Sequence, residues 1–521
     1  MNYVALFRAT LPETALEIAA LLVLVVDLGF MRKAALQARI AVAAVLGVAG
    51  CAAAVAVLPL ERVGLQGPDG LDLLATGGTA AAAQIAILVL TALTLLLLID
   101  SSFTRNPGEY VAVVLMAAAG GLIISAAQDL LVIFVGLELL SLSLYILTAF
   151  AKKSGKSAEA AIKYYIFGAM SAAFLLFGFS YFYGLAGSTN LWKIEVAISQ
   201  SGPSPLLFVA WILVVAGLGF KVAAVPFHFW APDTYEGAPA PAAAFIASVS
   251  KVASFALILT IGTNWLMVGG PIEGEKSALE ALMRQHYQTW PKLGVILLIV
   301  AAASMIFGNL AALAQTSVRR LIAYSAIAHA GYILLGVGVF PAHSGQGSAL
   351  KFFIQSIGPY LRLNEAVLYY IITYGLTTIG AFGVVGVVER AAGSDRMDAF
   401  LGLHKRNPIL AAVLLVFFLS LAGIPPLVGF WAKFNLFAAV LAVGAGPIPF
   451  TLVALAVAFS AVSLYYYLQV LKRAYVMPAA DESPIRAHPV TLAVLLLIAA
   501  AVLVLGCFPA LLQSWIASFF K

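Results

Sequence analysis

Five ionisable residues sit where a membrane segment does not ordinarily tolerate them. Lys163, Lys221, Lys251 and Lys433 fall inside long apolar runs, and Glu138 lies within VIFVGLELLSLSLYIL. A charge at the centre of a bilayer costs roughly 2.5–3.5 kcal/mol on insertion scales, so each of these residues needs a partner or a use. The plain alternative is a snorkelling end residue or one interhelical ion pair, and it is strongest for Lys163, only a few residues into its run. The chemistry on offer is proton handling. A lysine taken out of water holds its proton less tightly, and a carboxylate brought near tightens that hold. Glu138 and Lys163 lie on neighbouring runs joined by a short loop and are expected to pair. His228 in PFHFW, and His329 with Tyr332 in YSAIAHAGY, are candidate relay groups. Their alternative is a satisfied hydrogen bond between helices.

The elements that must position these residues are membrane spans. Hydrophobic residues make up 63% of the 521-residue chain and charged residues 10%, against about a quarter charged in an ordinary soluble domain. Mean hydropathy is +1.03. At roughly 20 apolar residues per span, the sequence divides into about fourteen helices, among them 11–29, 129–150, 158–184, 205–225, 239–266, 319–340, 364–388, 409–440 and 489–515. Two are expected to be broken. Span seven carries GLGFKVAAVP, where Pro226 removes a backbone donor just beyond Lys221. Span twelve carries GIPPLVGFWAK, with Pro425 and Pro426 ahead of Lys433. A broken helix at mid-membrane exposes backbone groups that only water or polar side chains satisfy, which gives both lysines a route to water. Spans seven and twelve run in opposite directions, as two inverted five-helix repeats would require. The expected architecture is all-α and polytopic. Residues 1–110 hold spans one to three, 111–266 the first repeat (spans four to eight), 293–472 the second (spans nine to thirteen) and 489–521 the last span. The segments 267–292 and 341–363 are read as loop insertions.

The net charge of +6 is explained by loop residues such as Arg32, Lys33, Lys152, Lys153, Lys156, Arg319, Arg320, Arg396, Lys405 and Arg406. All fall on one face, which the positive-inside rule makes cytoplasmic, leaving both termini outside. No nucleic-acid role is needed. Cys51 and Cys507 lie in apolar runs without metal-ligand spacing, which argues against iron–sulfur and structural zinc sites. Exchange of Na⁺ or K⁺ would favour an oxygen-rich acidic site, whereas lysines repel metal cations and accept protons.

Several of these stretches carry a family resemblance. FKVAAVPFHFWAPDTYEGAPAPAAAFIASVSKVASFA (220–256), QTSVRRLIAYSAIAHAGYILLG (315–336), GLHKRNP (402–408) and LSLAGIPPLVGFWAKFNLF (419–437) resemble the antiporter-like membrane subunits of respiratory complex I, the NADH–quinone oxidoreductase. PDTYEGAP (232–239) and Lys433 resemble the subunit N branch rather than M or L. The resemblance runs from about residue 70 to 475 and implies redox-driven proton translocation in a bacterial inner membrane. It implies a coupled pair Glu138–Lys221 modulated by Lys163, a link at Lys251 with His329 near the junction of the halves, and a terminal site at Lys433. It further implies that no cofactor is held by this chain: NADH, FMN, iron–sulfur clusters and quinone belong to other subunits. The implied partners are lipid and the neighbouring membrane subunits M, K and J. The competing readings are a subunit of a Na⁺(K⁺)/H⁺ antiporter or of a proton-pumping membrane hydrogenase.

Overall fold

The protein is described by a computed structural model covering residues 7–59, 73–264, 276–339, 349–444, 446–479 and 483–520. Its helices are α1 (Leu11–Val25), α2 (Leu36–Ala56), α3 (Gly78–Leu97), α4 (Pro107–Ala126), α5 (Leu130–Thr148), α6 (Gly155–Ala186) and α7 (Leu191–Ser201). They continue with α8 (Pro205–Val222), α9 (Trp230–Gly237), α10 (Ala240–Ala247), α11 (Val249–Asn264), α12 (Lys276–Leu313) and α13 (Val318–Gly338). The remainder are α14 (Ala349–Ala392), α15 (Leu403–Arg406), α16 (Pro408–Ala422), α17 (Val428–Val443), α18 (Pro447–Tyr475), α19 (Pro489–Cys507) and α20 (Ala510–Ser518).

Local chemistry sets many of the helix starts. Asp129, Ser154, Asn190, Ser204, Ser317 and Asn407 accept from backbone N–H groups of the first turns they precede. Pro107, Pro205, Pro408, Pro447 and Pro489 open helices where a missing N–H costs nothing. Among the described residues, twelve helices are long and apolar enough to cross a membrane. Span one is a 15-residue helix prolonged by a five-residue π turn, Val26–Phe30. In that turn the buried Asp27 takes two hydrogen bonds from Arg39, at 2.7 and 2.8 Å.

Span twelve is divided into α16 and α17, and span seven stops as α8 at Val222 ahead of Pro226, with the short α9 following the break, as expected from the prolines. Three boundaries differ from expectation. Span eight also breaks, at Ser248 (φ −117°, ψ −76°), so Lys251 stands in the first turn of a half-helix. Span fourteen ends at Cys507, because Pro509 cannot donate into the helix, and α20 restarts beyond it. The two expected insertions are partly helical: α12 begins at Lys276 and α14 at Ala349, while 265–275 and 340–348 lie outside the described residues.

Span eight and α13 form the centre, enclosed by protein on nearly every side. By contrast α6 turns Ile162, Ile166 and Phe177 outward, as a helix facing lipid or a neighbouring subunit does. The loops read as lying on the basic face do converge: Ser154, Lys156, Arg319, Arg320, Arg390 and Arg396 surround a single cavity.

Candidate functional site

Lys221 ends α8. The helix stops because Ala223 adopts a left-handed conformation (φ 59°), which holds the lysine two residues before the turn. The side chain is buried, and its ammonium donates to Ser141 Oγ at 2.6 Å. Ser141 lies one turn after Glu138 on α5, so the half-buried carboxylate is within electrostatic reach of Lys221. No direct ion pair joins them among the described residues.

Lys163 does not pair with Glu138. Its ammonium contacts Glu159 at 2.6 Å and Asp233 at 2.7 Å, and the side chain is 42% exposed. Adjacent spans do not by themselves bring facing side chains into register; α9 lies against the start of α6 and supplies a nearer acid. Asp233 also binds Arg320 at 2.6 Å, and Glu236 binds Arg320 at 3.1 Å and Lys156 at 3.0 Å. Arg319 donates to the carbonyls of Glu236 and Ala238 and pairs with Glu389 at 2.7 Å. This network ties PDTYEGAP to the starting turn of α13. Burial pushes the Asp233 and Glu236 carboxyls up. The hydrogen bonds from Lys163 and Arg320, and from Lys156 and Arg320, outweigh it and hold both below the ordinary carboxylate range.

The other lysines are bound by neutral groups. Lys251 is buried and donates to the Ala326 carbonyl of α13 at 2.7 Å. Lys433, on the first turns of α17, folds back to donate to the Ala422 carbonyl and to Ser460 Oγ, both at 2.8 Å. His329 stands between them, within electrostatic reach of both. Its Nδ1 is hydrogen-bonded to the Tyr370 hydroxyl at 2.8 Å, and its ring lies 4.9 Å from Tyr374 and 5.7 Å from Tyr332. The Lys251 ammonium is 5.7 Å from the Tyr374 ring centre, and that of Lys433 is 5.5 Å from the Tyr332 ring centre. Lys251, Tyr374, His329, Tyr332 and Lys433 therefore form a contiguous string. The Tyr332 hydroxyl accepts from Asn309, whose amide oxygen accepts from Tyr466.

His228 is not on this string. It packs against Phe229 and Phe307, beside the break that follows Lys221. Sequence reasoning passed over Asp233, Glu236, Tyr370 and Tyr374. The two acids follow the first break in a short polar segment, and the tyrosines recur at a helical interval on span eleven, so both signals were available. Chemically, a cation buried among carbonyls and hydroxyls is stabilised without being fixed to one carboxylate, and remains able to release its proton.

The comparisons with known proteins agree with this geometry. The family described as NADH:quinone oxidoreductase/Mrp antiporter, TM, matches residues 127–268 and 277–461. NADH-quinone oxidoreductase subunit N 2 of Acidobacterium capsulatum is 46% identical over 99% of both chains. NADH-quinone oxidoreductase subunit N 1 of Roseiflexus castenholzii is 39% identical over 81% of this chain and 76% of its own. A chain of respiratory complex I from Thermus thermophilus with bound aureothin superposes with TM-score 0.72 at 31% identity, covering 96% of this chain and 98% of that one. A chain of the Mrp complex from Dietzia sp. shares the fold, at TM-score 0.77 and 22% identity, over 98% of this chain and 51% of that one. The sequence therefore belongs to the antiporter-like membrane-subunit family of NADH–quinone oxidoreductase, in its subunit N branch.

Proposed function

We propose that this chain moves protons across a bacterial inner membrane through the row Glu138, Lys221, Lys251, His329 and Lys433, driven by quinone reduction elsewhere in the NADH–quinone oxidoreductase. The supporting observation is that three lysines are buried in one bundle and each is held by hydroxyl or carbonyl oxygens rather than by a bonded carboxylate. Lys163 modulates the row from its edge, and His228 and Tyr332 are the remaining relay candidates. The basic face is cytoplasmic and both termini are outside. Subunits M, K and J are the proposed neighbours, and the flavin, iron–sulfur clusters and quinone belong to other subunits.

The inverted repeats, spans four to eight and nine to thirteen, find support in two matching capped starts. Asp129 caps span five and accepts from Thr189, beside a bridge to Asn190. Ser317 caps span ten and bonds Asp395, beside a bridge to Arg396.

The test is NADH-driven proton uptake by everted membrane vesicles carrying Lys221→Ala in the assembled complex. Uptake is expected to fall several-fold, with the complex still intact. Uptake at the unmodified rate would refute the assignment.

A further inference from the structure

Span eleven carries a stripe that begins at Tyr370 and Tyr374, beside the lysine row, and continues away from it. Tyr370, Tyr374, Thr378, Phe382 and Gly386 recur every fourth residue of α14 and so form a stripe that winds about 40° around it per step. From Gly386 to Tyr374 the stripe rises about 18 Å, at 1.5 Å per residue.

Its outer end is solvent. On the basic face a cavity of about 770 Å³ lies between the halves, bordered by Lys156, Glu236, Arg319 and Glu389, and it reaches inward to Phe382 and Gly386. Behind Phe382 is Tyr235, ring to ring at 5.7 Å. Tyr235 is fully buried, and its hydroxyl has no partner among the described residues. Tyr374 and Thr378 are buried too, and their hydroxyls lie close to each other with no further partner among the described residues. Tyr235 lies within electrostatic reach of Tyr374. Tyr374 in turn contacts both Lys251 and His329.

Three buried hydroxyls thus lie between the open cavity and a buried lysine. A buried hydroxyl without a protein partner costs about 1–3 kcal/mol unless water satisfies it. Packing alone would be served as well by phenylalanine, which the same stripe uses at Phe382. We infer that this stripe is a separate proton-uptake path, carrying protons from the basic-face cavity past Phe382 through the hydroxyls of Tyr235, Thr378 and Tyr374 to Lys251 and His329, without passing Lys221. Each hydroxyl hands its own proton inward as it accepts the next, so no net charge is left on it. This path presupposes the proton row proposed above.

The experiment places Tyr374→Phe, Tyr235→Phe and Thr378→Val separately in the full complex, beside Lys221→Ala. Proton uptake is measured in everted vesicles together with NADH oxidation, and assembly is followed on native gels. Because none of the three hydroxyls is bonded to a group outside this set among the described residues, assembly is expected to be normal. Proton uptake per NADH oxidised is expected to fall several-fold in Tyr374→Phe and Tyr235→Phe, and less in Thr378→Val. Unmodified uptake in both tyrosine variants while Lys221→Ala fails would overturn the path and leave the lysine row standing. Unmodified uptake in all of them would overturn both. Should Tyr374→Phe not assemble, Tyr235→Phe decides alone, by the same criterion.

Discussion

The first half breaks its helix at Ala223 and resumes at Trp230; the second breaks at Gly423 and resumes at Val428. Both breaks begin with a left-handed residue (φ 59° and 88°) and contain a cis proline, Pro226 in one and Pro426 in the other. Both continue into Phe-Trp-Ala, and each tryptophan donates its indole N–H to a backbone carbonyl, Trp230 to Phe220 and Trp431 to Gly506. What differs is the lysine. Lys221 precedes its break and reaches across to α5, where Ser141 binds it and Glu138 stands near. Lys433 follows its break and turns back on the last carbonyl-bearing turn of α16, the negative end of that helix dipole. The first lysine has a carboxylate of another helix within electrostatic reach but not bonded to it. The second is held by a fixed dipole. We propose the first as the adjustable site and the second as the terminal one.

Substitutions at the turns test this contrast most severely. A side chain on Gly423 would lie 2.9 Å from Lys433 Cδ and 3.2 Å from its Nζ, in a backbone conformation that disfavours it. Gly423→Ala is therefore expected to destabilise the complex by about 1–2 kcal/mol and to displace the lysine; thermal inactivation and proton uptake report both effects. Ala223→Gly relieves the same backbone strain at the cost of a more flexible unfolded chain. It is expected to be nearly neutral, within about 1 kcal/mol. Equal losses from the two changes would erase the asymmetry.

The bonded serines give a smaller effect. Ser141→Ala removes the hydroxyl that binds Lys221, whereas Ser460→Ala leaves Lys433 its Ala422 carbonyl. A hydrogen bond to a charged group contributes about 1.5–3 kcal/mol, so Ser141→Ala should depress proton uptake more than Ser460→Ala does. The reverse order would assign the adjustable role to the second half.

The smallest effect belongs to the surface network. Asp233→Asn releases one of the two acids on Lys163 and is expected to cost at most about 1 kcal/mol, given the pair's exposure. Because the Asp233 and Glu236 carboxyls are held below their ordinary range, their contacts are complete above the unfolded carboxyl pKa. They are lost only as pH falls through the lower folded values. Hydrogen exchange at the start of α13, corrected for the intrinsic pH dependence of amide exchange, is expected to stay flat from pH 8 to about pH 5 and to rise only in more acidic solution. A rise near neutrality would place another group in control.

Much of this was legible in the sequence, and the rest was not for identifiable reasons. Hydropathy located the spans, because that signal is local. The prolines announced two breaks. The third, at Ser248, has no proline or glycine within the Ser-Val-Ser-Lys segment. It accompanies the bond from Lys251 to a different helix, which no local pattern reports. The buried lysines were evident from composition alone, but their partners were not. Lys163 finds Asp233 seventy residues away rather than Glu138 on the adjacent span, since the rotation of each helix is fixed by packing. The hydroxyls of span eleven were visible as a four-residue interval, yet their meaning depends on Lys251 and His329, which only the assembled bundle brings to them.

The most direct measurement is NADH-driven proton uptake by everted vesicles carrying Lys251→Ala, with NADH oxidation and assembly of the complex recorded in parallel. Lys251 bonds across from span eight to the Ala326 carbonyl of α13. The expected result is an assembled complex whose proton uptake falls several-fold. Unmodified proton uptake per NADH oxidised would contradict the proposal that the lysine row carries the protons.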